Sequence, residues 1–395
     1  LRLVGSEMCI RDSCHLLQAA GKNILIDCGM EQGPDLYENF GLPIPENEVD
    51  YVLLTHAHID HSGMLPKLVK NGFKGEIVTT FATADLCNIM LRDSAHIQEG
   101  EAEYANRKGM RAGKKIVEPL FTVDDAARAL HLFKLRSFGE AFNVVPGVTV
   151  TFCVAGHILG SAFVEMSVNE GDKKTRLIFT GDIGQPNQPI IEDPAAAGVA
   201  DFIITESTYG NRIHEAYDKE GELANIINDT VERGGNVIIP AFAVGRTQVL
   251  LYYFQKLQAE GKIPEIPIYV DSPMANRATQ ITMTNPEEYD EEARALYAMQ
   301  GRRLVSMHNL RFTATVQESM AINEIPGSKI VISASGMADA GRILHHLKHN
   351  LWREDSSIVF AGYQAEGTIG RRLIEGIKRI KILSLIHISE RTRRR

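Results

Sequence analysis

Three histidines and an aspartate fall within six residues in Thr55-His56-Ala57-His58-Ile59-Asp60-His61-Ser62-Gly63. Neutral imidazole suits zinc, and a carboxylate joins it readily. The run follows the apolar segment Tyr51 to Leu54 and precedes a helical pattern. A strand end and a helix start would therefore bring these side chains to one place. Two such clusters side by side can hold two metal ions about 3.5–4 Å apart. An N-cap aspartate among incidental surface histidines is a much poorer account of so dense a run. His157 lies in Gly156-His157-Ile158-Leu159-Gly160-Ser161, a glycine-flanked loop after a strand, and Asp182 ends Phe179-Thr180-Gly181-Asp182 at another strand end. Each alone would read as a turn residue. Downstream of HxHxDH, both read as ligands.

The elements that must position these residues alternate along the chain. Lys22–Gly29, Val49–His56 and Gly75–Thr80 read as strands, and 60–71 as one helix ending at Gly72. Thr122-Val123-Asp124-Asp125 has the form of a capping box opening a helix through Phe133. Short β-rich runs follow at Val148–Val154, Phe163–Val168, Arg176–Gly181 and Asp201–Glu206. Beyond Glu206 the pattern becomes β/α alternation. Helices are expected at 217–231, 246–259, 286–299 and 340–350, and strands at 236–241, 266–271, 329–334 and 356–361. That spacing implies a parallel sheet.

The chain has 395 residues, 44% hydrophobic and 23% charged, with a formal net charge of −8. This is ordinary globular composition, and no apolar run approaches the ~18 residues of a membrane-spanning helix. A membrane partner is not expected. Five cysteines without regular spacing fit free thiols in a reducing, cytoplasmic setting. A polyanionic partner would meet a repelling overall field, so it needs local positive charge, which metal ions can supply.

The segments 1–13 and 384–395 show neither strand alternation nor a helical stripe. They resemble translated library-adapter sequence, so roughly 1–13 and 384–395 are read as artefact and kept out of fold reasoning. The arginines of the last segment are therefore given little weight as a nucleic-acid arm.

The run HAHIDH, then GHILGS, then FTGD resembles the metal-binding motifs of metallo-β-lactamase-fold hydrolases. The resemblance implies that His56, His58 and His157 bind one zinc, that Asp60 and His61 bind a second, and that Asp182 bridges the two Zn2+ ions. Asp27, in Ile24-Leu25-Ile26-Asp27-Cys28-Gly29, matches that family's first motif, an aspartate that orients a ligand. Glu206, in Ile203-Ile204-Thr205-Glu206-Ser207-Thr208-Tyr209-Gly210, resembles the acidic motif that opens a β-CASP domain. Ala243-Val244-Gly245-Arg246-Thr247-Gln248, Ser335-Gly336-Met337 and Gly362-Tyr363-Gln364-Ala365-Glu366-Gly367-Thr368 are similar to further β-CASP stretches. The implied fold class is α/β: an αββα sandwich over 14–207, an inserted β-CASP domain over 208–375, and the start of a return to the sandwich over 376–383. The closing C-terminal strands are expected to be missing.

The implied function is zinc-dependent hydrolysis of single-stranded RNA. Asp60 or Asp182 would handle the proton of the attacking water, and Glu206 is counted with them among the catalytic residues. Ser161, Tyr209, Arg246, Ser335 and Gly336 are the expected substrate contacts, although Arg246 could equally be a solvated helix residue. In the family, two further histidines follow these stretches. One lies in a Ser-Ala-His motif and protonates the leaving oxygen, and the other lies in a His-Gly-Glu motif and completes the second zinc site. Neither motif is found beyond Thr368, so the second site is expected to be incomplete. DNA processing and an inactive RNA-binding scaffold are the competing readings. A small-molecule hydrolase is disfavoured, since it needs no second α/β domain. A homodimer is an admissible arrangement. His345, His346 and His349 are expected at a surface or between domains, and the basic stretch 371–381 as a solvated face.

Overall fold

The computed structural model describes residues 2–5, 14–30, 42–110, 115–208, 210–211, 218–383 and 385–388. The chain divides into two compact units, Leu1–Gly210 and Asn211–Arg395.

The first unit holds two sheets. One runs in spatial order β1 (Arg2–Gly5), β2 (His15–Ala19), β3 (Lys22–Ile26), β4 (Tyr51–Leu53), β5 (Glu76–Thr79) and β6 (Phe133–Leu135). The strands from β3 to β6 are parallel, so the chain leaves β3, β4 and β5 from the same edge. The other sheet is β7 (Ala141–Val145), β8 (Val148–Val154), β9 (Ala162–Glu170), β10 (Lys173–Phe179) and β11 (Phe202–Ile204). It is antiparallel except for the β10–β11 pair.

Alternation explains the layering. Leu17, Ile24, Ile26, Leu53 and Val78 face one way and pack against Val148, Val150, Phe152, Val164, Met166, Val168, Leu177 and Phe179 of the second sheet. The intervening Leu16, Leu25, Val52 and Ile77 are also buried, on the opposite face. Helices α1 (Ile59–Ser62), α2 (Leu65–Lys70), α3 (Phe81–Met110) and α4 (Val123–Leu130) supply this unit's helical layer. Cutting Phe152 back to alanine would cost about 3–5 kcal/mol in such a core.

The helix expected over 60–71 is two helices. Pro66 has no N–H, and its ring would clash with the Ser62 carbonyl, so α1 stops and α2 restarts with the proline in its first turn. The capping box at Thr122 and Asp125 is formed as expected. The 30-residue α3 was not anticipated. Its buried positions are mostly small, such as Ala82, Ala95 and Ala102, and polar residues interrupt any apolar stripe.

The second unit is a five-stranded parallel sheet in the order β14 (Leu310–Phe312), β13 (Ile268–Asp271), β15 (Ile330–Ser333), β12 (Val237–Pro240) and β16 (Ser357–Ile358). Its helices are α5 (Lys219–Glu232), α6 (Arg246–Ala259), α7 (Pro273–Thr284), α8 (Glu291–Met299), α9 (Val316–Ile322), α10 (Ile343–Asn350) and α11 (Ile369–Ile374). Val237 and Ile239 pack in one core with α5 and α6, while Ile238 packs in another with α10 and α11. Helices thus cover both faces, as the alternation of β and α signals implied.

Both end segments contribute strands. Arg2–Gly5 pairs antiparallel with β2, and β17 (Arg379–Ile382) pairs with β18 (Leu385–Ile388). A sheet edge offers unpaired backbone groups to any extended segment, so pairing there needs no side-chain pattern. Among the described residues no helix is long and apolar enough to cross a membrane.

Candidate metal centre

The candidate ligands of the first unit sit beyond strand ends: His56 and His58 in the turn after β4, Asp60 and His61 on the α1 helix that follows, His157 after β8 and Asp182 after β10. Beyond β3 the backbone turns at Asp27, whose φ is 61°, and Asp27 N donates to the Leu53 carbonyl at 2.9 Å. The buried Asp27 carboxylate accepts from Thr55 N at 2.7 Å and Thr55 Oγ1 at 2.8 Å, and it lies 2.8 Å from His61 Nδ1. Thr55 Oγ1 in turn lies 3.1 Å from His56 Nδ1. With its own proton given to Asp27, Thr55 accepts from His56. One carboxylate thereby fixes the tautomer of two imidazoles and leaves the Nε2 of each for another partner.

Those nitrogens converge. His56 Nε2 and His157 Nε2 each lie 3.1 Å from His58 Nδ1. Asp182 Oδ2 is 3.7 Å from His56 Nε2 and 3.3 Å from His157 Nε2. The ligand atoms of His56, His58, His157 and Asp182 all fall within 4.8 Å of one another. Three imidazole nitrogens at this spacing cannot all be satisfied by hydrogen bonds among themselves, because a single proton serves at most one pair. A cation among them resolves the repulsion, and three nitrogens with one carboxylate match a zinc donor set.

Burial pushes His58 and His157 down to about 4 and His56 well below its ordinary value. Burial alone would raise Asp182, but hydrogen bonding to His61 outweighs it and holds the carboxyl at about 2. Neutral imidazoles beside an ionised carboxylate are the state metal binding requires. Burial also works against charge on His61, yet Asp27 and Asp182 outweigh it and hold this histidine up at about 10. His61 Nε2 lies 3.1 Å from Asp182 Oδ1, so Asp182 faces the three-histidine cluster with one oxygen and His61 with the other. Asp60 stands outside the tight group. Burial pushes its carboxyl upward, with His61 opposing.

The His157 loop is built to hold its shape. Ser161 is only 3% exposed, and its hydroxyl accepts from His157 N at 3.0 Å and Ile158 N at 3.2 Å. The structure thus places Ser161 as the brace of this loop, where the sequence suggested a substrate contact. Thr80 and Thr83 clamp the same loop from outside, each donating to the Gly160 carbonyl at 2.7 and 2.8 Å. Gly184 lets the Asp182 loop press on it, since a Cβ there would lie 1.7 Å from the Gly156 carbonyl oxygen. Glu206 Oε1 accepts from Ile183 N at 2.8 Å, which fixes the residue after Asp182.

Thr55, Thr80 and Thr83 were missed in the sequence. The available signal was a hydroxyl directly before His56, and a pair at i, i+3 where a helix begins. Tyr209 lies outside the described residues.

In the second unit, Arg246 is the exposed first residue of α6, and Ser335 and Gly336 follow β15. His346 corrects an expectation: it is fully buried, with Nε2 2.7 Å from Asp271 Oδ2, while His345 and His349 are exposed. A buried carboxylate at the end of β13 called for donors, and Thr313, Ser319 and Arg342 join His346 around it.

The two facing sheets, with ligands on the loops that leave them, define a metallo-hydrolase of the metallo-β-lactamase superfamily. That family's pattern matches residues 11–124, and the Beta-Casp domain pattern matches residues 247–373. Ribonuclease TTHA0252 of Thermus thermophilus is 37% identical over 379 residues, covering 95% of this chain and 81% of that protein. Transcription termination factor FttA of Methanosarcina mazei is 34% identical over 379 residues, covering 93% of this chain and 56% of its own length. FttA of Methanothermobacter thermautotrophicus is 33% identical over 383 residues, covering 94% and 57%. The chain therefore spans little more than half the length of these termination factors. It belongs to the β-CASP ribonuclease family.

Proposed function

We propose that this chain carries the catalytic body of a zinc-dependent phosphodiesterase acting on single-stranded RNA. The observation that carries the reading is the convergence of His56, His58, His157 and Asp182 within 4.8 Å. These residues would hold one zinc ion, and Asp60, His61 and Asp182 would hold a second, which would displace the proton that His61 Nε2 otherwise shares with Asp182. Bound there, zinc supplies Lewis-acid charge and an acidified water as nucleophile. Asp182 keeps the two halves of the centre in register, because its two oxygens face different histidines. Asp27 keeps His61 turned toward Asp182. Asp60 or Asp182 takes the proton of the attacking water on a carboxylate oxygen, and the leaving oxygen takes a proton from solvent. Glu206 holds the Asp182 loop through the Ile183 amide.

The named relatives support RNA as the substrate: one is a ribonuclease and the others are transcription termination factors. A flexible single strand can present a phosphodiester to a recessed centre more readily than a stiff duplex.

Incubating the zinc-loaded protein with end-labelled single-stranded RNA and with DNA of the same sequence tests this. RNA should be cut, with chelation abolishing cleavage. Equal cleavage of DNA would move the assignment to a DNA-processing enzyme. No cleavage of either by the zinc-loaded protein would favour the scaffold reading.

A further inference from the structure

The run His345-His346-Leu347-Lys348-His349 lies on α10, and the helix sorts its three histidines. Ile343, His346, Leu347 and Asn350 form the buried face, while His345 and His349 are exposed. Residues at i and i+4 sit one turn apart on the same side, with Cβ atoms about 5–6 Å from one another. Two imidazoles so placed can reach one metal ion from successive turns. Helical His-Glu-x-x-His sites hold zinc through a histidine pair at this spacing. His346 does not compete for the ion. Its Nε2 lies 2.7 Å from Asp271 Oδ2 and its Nδ1 3.2 Å from Asn323 Oδ1, both on the inner side.

The surroundings suit a cation. His349 belongs to the last turn of α10, where the helix carbonyls carry partial negative charge. The guanidinium just beyond the helix, Arg353, is neutralised by Asp355, to which its Nε donates at 3.0 Å and its Nη2 at 2.9 Å. Imidazole donors select borderline ions such as copper, nickel and zinc, with Cu2+ held tightest of the divalent series. Magnesium and calcium call for oxygen ligands, which this pair does not offer.

We propose that His345 and His349 form a second metal site, made of residues other than those of the centre in the first unit, for one borderline divalent transition-metal ion. Cu2+ binds it most tightly, and Ni2+ and Zn2+ less so. Water completes the coordination shell. The ion bridges two turns of α10 from outside, and between those two histidines the same helix sends His346 inward to Asp271. Metal bound here therefore steadies the hydrogen-bonded cluster at the end of β13. This site stands or falls independently of the reaction proposed above.

Trp352 supplies the readout. It is the one tryptophan of the chain, it lies three residues beyond His349, and it is 60% exposed. The test is a fluorescence titration of the full chain with Cu2+ and with Ni2+, after zinc loading and removal of excess zinc. Wild type should show saturable quenching, and Mg2+ should have no effect. His345→Gln and His349→Gln should each weaken the quenching roughly hundred-fold, because the remaining imidazole binds without its chelating partner. Ni2+ should also raise the urea midpoint of wild type but not of either variant. Unsaturable or absent quenching in wild type would overturn the proposal. So would quenching at the wild-type midpoint in both variants, and an equal rise of the urea midpoint in all three proteins would remove the bridging role.

Discussion

Asp27 holds His61 through Nδ1 at 2.8 Å, and the opposite nitrogen of that ring stands 3.1 Å from Asp182. One imidazole thus links the end of β3 to the loop after β10. Asp27→Ala should leave His61 free to turn and lower metal affinity about 10–100-fold, the usual cost of losing a partner behind a ligand. Competition against a chromogenic chelator measures it. Unchanged affinity would mean that packing alone orients His61.

Ser161 separates two roles. As the brace of the His157 loop, its loss leaves two amides without their acceptor, a cost of about 1–3 kcal/mol where they are buried. Ser161→Ala should therefore lower the melting temperature and metal affinity together while KM for RNA stays put. A raised KM with unchanged metal affinity would restore the substrate-contact role.

Glu206 can act as an acceptor or as a charge. Glu206→Gln keeps an oxygen for the Ile183 amide, and Glu206→Ala removes it. If the carboxylate positions Asp182, the Gln variant should retain most of the cleavage rate, and the Ala variant should lose roughly ten-fold, about one hydrogen bond's worth. Equal losses in the two variants would assign Glu206 a charged role in the reaction.

Asp271 predicts an acid limb of stability. Burial opposes its charge, but the donors His346, Ser319, Thr313 and Arg342 outweigh it and hold the carboxyl well below the usual carboxylate range. A depressed folded value means the contribution is complete above the unfolded value of about 3.9 and fades as pH falls below it. Asp271→Asn should cost about 3–5 kcal/mol at pH 7, because Arg342 is left without its buried partner. It should also flatten the loss of stability below about pH 4. Urea melts across pH 7 to 3 give both quantities, and parallel curves for the two proteins would contradict the assignment.

What the sequence disclosed follows from how far apart the partners lie. His56 and His58 lie two residues apart beyond one strand end, so their convergence was legible from spacing alone. His157 and Asp182 became legible only in order behind that run. The hydrogen-bonded supports were not legible, since Thr83 meets Gly160 and Ser319 meets Asp271 through tertiary packing that no local pattern records. The parallel sheet of the second unit was readable because β12 and β15 are continuous apolar runs buried on both faces. His346 was read as exposed or interdomain because the partner that buries it, Asp271, is 75 residues away.

The central claim is that the three-histidine cluster with Asp182 is a zinc centre that cuts RNA. The most direct measurement is single-turnover cleavage of single-stranded RNA during zinc titration of the stripped protein, for wild type and His58→Ala in parallel, with bound zinc counted at each point. Cleavage by wild type should rise with zinc bound at the centre, and His58→Ala should lose both the zinc and the cleavage. Cleavage that proceeds without zinc, or that survives undiminished in His58→Ala, would contradict the account.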